Sequence, residues 1–524
     1  MIFPISEKNR NGPVILVSQK ITFSVPFSFA YLAGYLKQKG EKVVILFRPT
    51  NPSEIQKFIQ DIISMNPVLV GFGSLYPELN DIRELVEKLD QAGRTFPVVV
   101  GGQMVTPIPE FAVRITHADF GVIGEGEITL YRLVQALRQN LDVLSVKGLA
   151  VNSENGILFT GPGEYIENLA DLPPIPYELF PDDWITIGKW HAEHYPLPFY
   201  KYNDRIITVH GGRGCPFSCN FCYHHSKPRY RPIPLILAEA KEAIDRFDAN
   251  MIDFSDDLVL INPSRARQLV NELKSWDKKV SYKLSTRFDI LSKIDDDLLK
   301  DLKETGCRVI ALGVESGSDR MLKIIGKNTT AENILFQLSR LRRAGILVNL
   351  SIMVGQYTET KEDVEASISL VKRSFENNPN IIYHFMITTP FPGSELYTIL
   401  KTNGYIKEDK DFFDTYFSRV SEKNKWTQVF NLSKMTDSEV MSMFALLNKS
   451  YVKEKRNHLN PLVFVIEYIQ PVLGRMNDKI LKAFFSDSAD QPARKKMRSV
   501  YGRIYDGILI SLDKNRLRLR GLKQ

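Results

Sequence analysis

Short apolar runs alternate with longer amphipathic stretches over the first 140 residues of the chain. Buried strands are predicted at VILVS, KVVILF, PVLVGFG, FPVVVGG and FGVIG, and the stretches between them carry apolar residues at helical spacing. Five strands that alternate with helices predict a doubly wound parallel α/β sheet. In such sheets, ligands bind beyond the carboxyl ends of the strands.

Glycines and polar residues stand at three of these predicted strand ends. The segments are Gly71–Ser74, Gly101–Gln103 and Gly124–Glu127. Glycines remove side chains from the crevice, so a flat or phosphate-bearing ligand could approach the backbone there, although tight β-to-α turns use the same residues. The first strand is not followed by G-x-G-x-x-G, which disfavours a nicotinamide dinucleotide site.

A second α/β series follows a proline-rich stretch that ends near YPLP. Six strand–helix pairs run from RIITVHGG to IIYHFMITTPFPG and predict a partial (β/α)6 barrel of the TIM type, with its site at the carboxyl ends of the strands. We therefore expect four parts: a sheet domain at 1–145, a linker at 146–200, a barrel at 201–400 and a mostly helical C-terminal region at 401–524.

The composition is that of an ordinary globular protein, with 44% hydrophobic and 25% charged residues. A length of 524 residues suggests about three domains. Four cysteines, three of them clustered, do not form the disulfide framework of a secreted protein, and the N-terminus lacks the pattern of a signal peptide. No apolar run is long enough for a membrane-spanning helix. These features predict a cytoplasmic protein.

The formal charge of +7 resides at the C-terminal end. Residues 491–524 hold ten Lys or Arg against two Asp, so the tail has a net charge of +8 and the rest of the chain is close to neutral. Such a run is usually a solvated helical end, but it could also contact an anionic membrane or a nucleic acid.

A C-x3-C-x2-C cluster follows the first predicted barrel strand. Its members are Cys215, Cys219 and Cys222. Thiolates are soft ligands that select iron–sulfur clusters, zinc or copper(I), and three of them would leave one iron of a 4Fe-4S cube open to another ligand. A zinc site completed by His224 or His225 is the alternative. The fourth cysteine, Cys307, enters a predicted strand and is interpreted as a small core residue.

The loop GGRGCPFSCNFCYHH resembles the signature of the radical S-adenosylmethionine superfamily, and the resemblance extends over most of the barrel. It implies that Cys215, Cys219 and Cys222 hold a 4Fe-4S cluster whose free iron chelates S-adenosylmethionine. It also implies reductive cleavage of that cofactor to a 5'-deoxyadenosyl radical. Phe221 and Tyr223 flank the last cysteine, where the family places an aromatic residue near the adenine.

Two further segments resemble cofactor-binding motifs of the same family. DFSDD occupies the region that contacts the methionine amino group, which implicates Asp256 and Asp257, although the family's common Gly-Gly-Glu is absent. GVESGSD resembles the motif that binds the ribose, which implicates Glu315 and Ser316.

The segment after the fifth barrel strand departs from the family, because Gln356 and Tyr357 replace the usual apolar–proline pair. A carboxylate at a barrel strand end can accept hydrogen bonds from ribose hydroxyls. For Glu315, the alternative is a salt bridge to Arg287 or Arg320.

The doubly wound domain ahead of the barrel resembles the cobalamin (B12)-binding subclass of the superfamily, most closely in VVVGGQMVTPIPEFAVRITHADFGVIGEGEITL. The resemblance implies a cobalamin site at the strand ends. Its residues would be Ser74, Leu75, Tyr76, Gly101, Gly102, Gln103, Gly124, Glu125, Gly126 and Glu127. No histidine precedes His117, so the loop after the first strand cannot offer cobalt a histidine ligand.

Together these resemblances imply a cobalamin-dependent radical S-adenosylmethionine enzyme. A C-methyltransferase that methylates an unactivated carbon of a metabolite through methylcobalamin is the first expectation. A radical oxidative cyclase or rearrangement enzyme of the same architecture is the alternative, and a non-catalytic cofactor-sensing module is a third possibility. The expected partners are a small-molecule substrate and an electron donor such as flavodoxin or ferredoxin.

Overall fold

The computed structural model describes residues 1–18, 25–73, 75–181, 197–223, 226–256, 258–420, 429–484 and 505–518, the last without positions 510, 513 and 517. The chain forms two compact units. The first gathers Met1–Pro181, His210–Leu235 and Thr388–Phe430. The second gathers Asp182–Val209, Ile236–Ile387 and Asn431–Gln524.

A seven-stranded sheet with the order β2-β1-β3-β4-β5-β6-β7 forms the core of the first unit. The first five strands are parallel and the last two are antiparallel. The strands are β1 Val14–Ser18, β2 Val43–Phe47, β3 Leu69–Gly73, β4 Val98–Gly101, β5 Phe120–Val122, β6 Leu149–Ser153 and β7 Gly156–Phe159. The helices are α1 Glu7–Arg10, α2 Phe27–Gln38, α3 Ile55–Ser64, α4 Leu79–Gln91, α5 Pro109–Thr116 and α6 Glu127–Gln139. This topology confirms the predicted doubly wound domain.

The hydrophobic pattern explains these elements. Every residue of β1 is buried, as expected of a strand that helices cover on both faces. Helix α3 buries Ile55, Phe58, Ile59 and Ile62, which lie on one face at three- and four-residue spacing. In the sheet order, the direction of strand addition reverses between β1 and β3, and sheets of this kind bind ligands beyond the carboxyl ends of the strands at such a point.

The sheet extends beyond the domain boundary expected at residue 145. Strands β6 and β7 lie in the range that the sequence assigned to a linker, and they pair as a hairpin. Gly156 has a φ of +111°, and the Ser153 hydroxyl donates to its carbonyl oxygen over 2.6 Å. Apolar residues on both sides of the turn form the strands, although the polar NSENG segment between them resembles a linker.

The cysteine loop, which we define as residues 214–228, lies between two short antiparallel strands of the first unit, β9 Gly212–Arg213 and β10 Arg229–Tyr230. In sequence it follows β8 Ile206–Val209, which belongs to the second unit. The helices α14 Glu395–Thr402 and α15 Asp409–Val420 complete the first unit.

Six parallel strands form the sheet of the second unit, in the open order β15-β14-β13-β12-β11-β8. Besides β8, the strands are β11 Met251–Phe254, β12 Ser281–Thr286, β13 Cys307–Glu315, β14 Leu347–Val354 and β15 Ile381–Ile387. The helices in this part of the chain are α7 Ile233–Phe247, α8 Pro263–Lys274, α9 Phe288–Leu291, α10 Asp296–Glu304, α11 Asp319–Ile324, α12 Ala331–Ala344 and α13 Lys361–Asn377. The arrangement confirms the predicted partial barrel.

The C-terminal region is mostly helical, as expected. Its long helices are α16 Asp437–His458 and α17 Pro461–Phe484, and α17 contains Pro471. Within the described residues, no helix is long and apolar enough to cross a membrane.

The described part of the basic tail packs against the second unit. Tyr505 and Leu509 form a buried cluster with Tyr202. The fully buried Arg516 donates to the carbonyl oxygens of Leu197 over 3.3 Å and of Tyr200 over 3.2 Å. At least one cation of the tail therefore has an internal structural role.

Candidate functional site

The three clustered cysteines lie on the cysteine loop of the first unit. None is in a disulfide, and Cys222 is exposed while Cys215 and Cys219 are partly exposed. The Cys222 amide donates to the Cys219 carbonyl oxygen over 3.0 Å, which closes a turn between them. Gly214 has a φ of +72°, and a Cβ there would lie 2.5 Å from the Ser226 carbonyl oxygen. The loop thus needs glycine at its base and presents accessible thiols.

The donor set fits an iron–sulfur cluster. Across the described ranges, no three His, Cys, Asp or Glu side chains converge on a position for a single metal ion. A 4Fe-4S cube does not need such convergence, because each cysteine binds a different iron atom. The two histidines of the zinc alternative, His224 and His225, lie outside the described residues.

The fourth cysteine belongs to the core of the second unit. Cys307 is the first residue of β13, and only 1% of its surface is exposed. Burial raises the pKa of its thiol to about 12. The structure therefore places Cys307 as the core residue that the sequence analysis expected.

The cysteine loop contacts Gly393 and the first turn of α14. The Leu396 amide donates to the Asn220 carbonyl oxygen over 3.1 Å. Gly393 has a φ of +90°, and a Cβ at that position would lie 2.5 Å from the Tyr223 ring. Burial raises the pKa of Tyr223 to about 12. Tyr223 therefore packs against this segment, and Phe221 is partly buried.

Two arginines that flank the loop pair with the Gly-Glu-Gly-Glu turn after β5. Arg213 donates from Nη1 to Glu125 Oε2 over 2.7 Å and from Nη2 to Glu127 Oε1 over 2.5 Å. Arg229 also pairs with Glu125. Burial lowers the pKa of Arg213, but the carboxylates of Glu127 and Glu125 raise it above its ordinary value. Two side chains that we expected to bind cobalamin are thus in contact with the two strands that flank the cysteine loop, a pairing that the sequence analysis missed.

One glycine of the predicted cobalamin site has open space beside it, and its neighbours at the strand ends are at least partly exposed. Gly124 has a φ of +84°, and a Cβ there would meet nothing within 4 Å. Gly102, with a φ of +85°, is partly exposed, and Gln103 is exposed. Gly101 and Gly126 are also partly exposed. The ends of β4 and β5 are therefore accessible to a ligand at Gly102, Gln103 and Gly124.

The end of β3 contributes an exposed and a buried side chain. Leu75 is 56% exposed, whereas Tyr76 is 5% exposed. The Tyr76 hydroxyl donates to the Pro392 carbonyl oxygen over 2.8 Å, and its ring stacks on Phe391 at 5.4 Å. Only Leu75 of the two is available to a ligand in this conformation. The third predicted residue of this strand end, Ser74, lies outside the described residues.

At the end of β13, in the second unit, Glu315 forms a buried polar cluster. Its Oε1 accepts from Lys327 Nζ over 3.1 Å, and its Oε2 accepts from the Ser351 hydroxyl over 3.1 Å. Glu315 has a φ of +65°. A Cβ at Gly313 would lie 2.1 Å from Glu315 Oε1, so the glycine makes room for this carboxylate.

The ion-pair partner of Glu315 is not one that the sequence analysis named. Arg287 pairs with Asp289 over 3.0 Å, and Arg320 pairs with Asp363. Lys327 lies 12 residues after Glu315 and beyond a short helix, a spacing that carries no sequence signal.

Gln356 lies where the family's apolar–proline pair was expected. Its Nε2 donates to the carbonyl oxygens of Glu315 over 3.0 Å and of Met353 over 3.2 Å. The carboxylate of Glu359 accepts from the amides of Gly355 over 2.6 Å and of Gln356 over 3.2 Å. These bonds tie the ends of β13 and β14 together. Gln356 and Glu359 were not among the predicted site residues.

The remaining predicted residues of the second unit that the structure describes, Asp256 and Ser316, are buried. Asp256 follows β11 and is 7% exposed, and its carbonyl oxygen accepts from the Ser285 hydroxyl over 2.6 Å. Ser316 is fully buried, and its hydroxyl oxygen accepts from the Ser318 amide over 3.2 Å. Asp257 lies outside the described residues.

Comparison with known protein families finds two domains in the chain. Residues 209–371 match the Radical SAM superfamily, and residues 21–134 match the B12 binding domain. The first match spans the cysteine loop and the barrel as far as α13. The second spans β2 to β5 of the first sheet and begins after β1.

Two curated relatives differ in the reaction that their names state. An uncharacterized methyltransferase of Pyrococcus horikoshii is 26% identical over 85% of this chain and 90% of the relative. An anaerobic magnesium-protoporphyrin IX monomethyl ester cyclase of Rubrivivax gelatinosus is 26% identical over 71% of this chain and 65% of the relative.

A solved structure shares the fold. It is the radical S-adenosylmethionine methyltransferase TsrM of Kitasatospora setae, with cobalamin and a 4Fe-4S cluster bound. The TM-score is 0.59 at 18% identity, over 75% of this chain and 75% of that one. The chain therefore carries a B12 binding domain ahead of a radical S-adenosylmethionine domain, which is the pairing that the sequence resemblance implied.

Proposed function

We propose that this protein is a cobalamin-dependent radical S-adenosylmethionine enzyme that transfers a methyl group to an unactivated carbon of a small-molecule substrate. The observation that carries the proposal is the presence, in one chain, of three accessible thiols on a glycine-based loop and accessible glycines at the strand ends of a B12 binding domain. The methyltransferase names of relatives in both comparisons support methyl transfer.

Cys215, Cys219 and Cys222 would hold the 4Fe-4S cluster. When bound, the cluster supplies one electron for the reductive cleavage of S-adenosylmethionine, and cobalamin supplies a carrier for the methyl group. An electron donor such as flavodoxin or ferredoxin would keep the cluster reduced. The chain itself positions the loop through Gly214 and the contact at Gly393.

Each unit, taken by itself, contains residues that the family resemblance assigns to S-adenosylmethionine. From the first unit, Phe221 and Tyr223 would lie near the adenine. From the second unit, Asp256 and Asp257 would receive the methionine amino group, and Glu315 with Ser316 the ribose. Glu315 is held by Lys327 and Ser351, so its carboxylate has a defined orientation.

Cobalamin would lie over the strand-end crevice. Gly101, Gly102 and Gly124 let the ring approach the backbone, and the exposed Leu75 and Gln103 offer an apolar and a polar contact. His117 follows α5 and precedes β5, so it lies toward the amino end of that strand, away from the strand ends that carry the predicted cobalamin residues.

Anaerobic reconstitution tests the proposal. The purified chain is supplied with iron, sulfide, cobalamin, S-adenosylmethionine and a low-potential reductant, and the products are separated by chromatography and identified by mass spectrometry. We expect 5'-deoxyadenosine from radical chemistry and S-adenosylhomocysteine from methyl transfer. The Cys219→Ala variant is the matched control and should form no 5'-deoxyadenosine. If the wild-type chain forms neither product, the proposal is wrong.

A cyclase or rearrangement reaction is the second candidate, because the similarity to the ester cyclase spans 71% of this chain. This reaction would give 5'-deoxyadenosine without S-adenosylhomocysteine. The same reconstitution therefore separates the two candidates by a single product.

A further inference from the structure

Four buried charged side chains connect the two candidate cofactor elements of the first unit. Arg213 on β9 precedes Cys215 by two residues, and Arg229 on β10 follows the cysteine loop. Their partners, Glu125 and Glu127, belong to the turn after β5. The exposed fractions of the four side chains are 13% and 10% for the arginines and 3% and 5% for the glutamates.

The two arginines lie directly opposite each other in the β9–β10 pair. Like charges at opposite positions of a two-stranded pair repel each other. Glu125 contacts both arginines and Glu127 contacts Arg213, so two carboxylates neutralise two guanidinium groups. The pairing of the strands at the base of the cysteine loop therefore depends on this acidic turn.

The same turn has a second face. Gly124 leaves open space at the strand ends, while Glu125 and Glu127 are buried in the ion pairs. Alternate residues of one short segment thus serve two neighbouring sites. The geometry explains why acidic residues stand between the glycines, where uncharged residues would suffice for a tight turn.

We propose that Glu125, Glu127, Arg213 and Arg229 are positioning residues that hold the cysteine loop in the conformation that binds the iron–sulfur cluster. The inference rests on the proposed function, since it assumes that the three cysteines bind a cluster. It makes the acidic turn of the B12 binding domain a requirement for retention of the cluster. Through this turn, the two cofactor sites would be linked within a single unit.

Three variants test the inference: Glu127→Gln, Arg213→Met, and the double variant that carries both changes. After anaerobic reconstitution, bound iron and sulfide are measured, together with the rate at which a chelator removes iron. The melting temperature of the cluster-free protein is measured in parallel. Arg132→Met is the matched control. Arg132 donates two hydrogen bonds to the carboxylate of Glu164 in an exposed ion pair of the same unit.

We expect both single variants to lose iron about tenfold faster than the wild type, a size typical for residues that orient metal ligands. Each single change leaves an unpaired charge and lowers the melting temperature, whereas the double change removes both charges and restores it. Loss of iron from the double variant should nevertheless stay fast, because the loop has lost its anchor. Arg213→Lys should be intermediate, since an ammonium group lacks the fork that reaches both carboxylates.

Two results would overturn the inference. If the single variants retain iron like the wild type, the ion pairs do not position the loop. If the double variant regains both the melting temperature and iron retention, the four residues only avoid an unpaired buried charge. A wild-type chain that binds no cluster would refute the proposed function, which is a separate outcome because it appears before any variant is compared.

Discussion

Neutralising Glu359 tests how a buried carboxyl supports the end of β14. Glu359 is fully buried, and its carboxylate accepts hydrogen bonds from the amides of Gly355 and Gln356. Burial raises its pKa from 4.5 to about 7, although the two amide hydrogen bonds act in the opposite direction. The Glu359→Gln variant keeps the size of the side chain and an acceptor oxygen for the amides, but it cannot ionise.

The magnitude follows from the difference in proton binding between the folded and unfolded states. Because the pKa of Glu359 is higher in the folded protein, its proton-linked stabilisation is fully present below pH 4.5 and is lost as the pH rises through 7. The complete shift corresponds to about 3 kcal/mol, and the part that falls between pH 5 and pH 8 is about 2.5 kcal/mol. Glutamine has no such dependence.

Urea unfolding of the cluster-free protein between pH 5 and pH 8 provides the assay. All other titrating groups are common to both proteins, so the difference between their unfolding free energies isolates Glu359. We expect this difference to change by about 2.5 kcal/mol in favour of Glu359→Gln as the pH rises. Glu365→Gln, an exposed change on α13, should show no such trend. A difference that stays constant across the range would refute the reasoning.

Two further predictions concern the cysteine loop. Cys219→Ala should abolish the visible absorbance of the reconstituted cluster. Cys307→Ala should retain this absorbance, because the Cys307 thiol is buried in the core. Equal spectra for the two variants would contradict the ligand assignment. Gly393→Ala should destabilise the first unit by about 1–3 kcal/mol, since the new methyl group would press against the Tyr223 ring. Gly404→Ala is the control, with a comparable φ and open space, and equal melting temperatures would disprove the clash.

The order of the strands and helices could be predicted from the sequence because the burial of each element is visible in the hydrophobic pattern of its own residues. Strands covered on both faces become continuous apolar runs, and helices between them keep one apolar face. The cysteine cluster was equally visible, since its three members fall within eight positions. The hairpin of β6 and β7 was missed because its polar turn resembles a linker.

The partners of the charged side chains could not be predicted in this way. Arg213 and Glu125 are 88 positions apart, and neither segment carries a periodicity that indicates the other. The ion pair between Lys327 and Glu315 and the burial of Tyr76 likewise depend on which remote segments the fold brings together. The sequence by itself determined the order of strands and helices and the thiol cluster, and its motifs carried the resemblance that implied the cofactors, because these depend on local pattern and residue type. Only the tertiary structure decided which side chains face the crevice and which hold the cysteine loop, because ion pairing and burial depend on distances between remote segments.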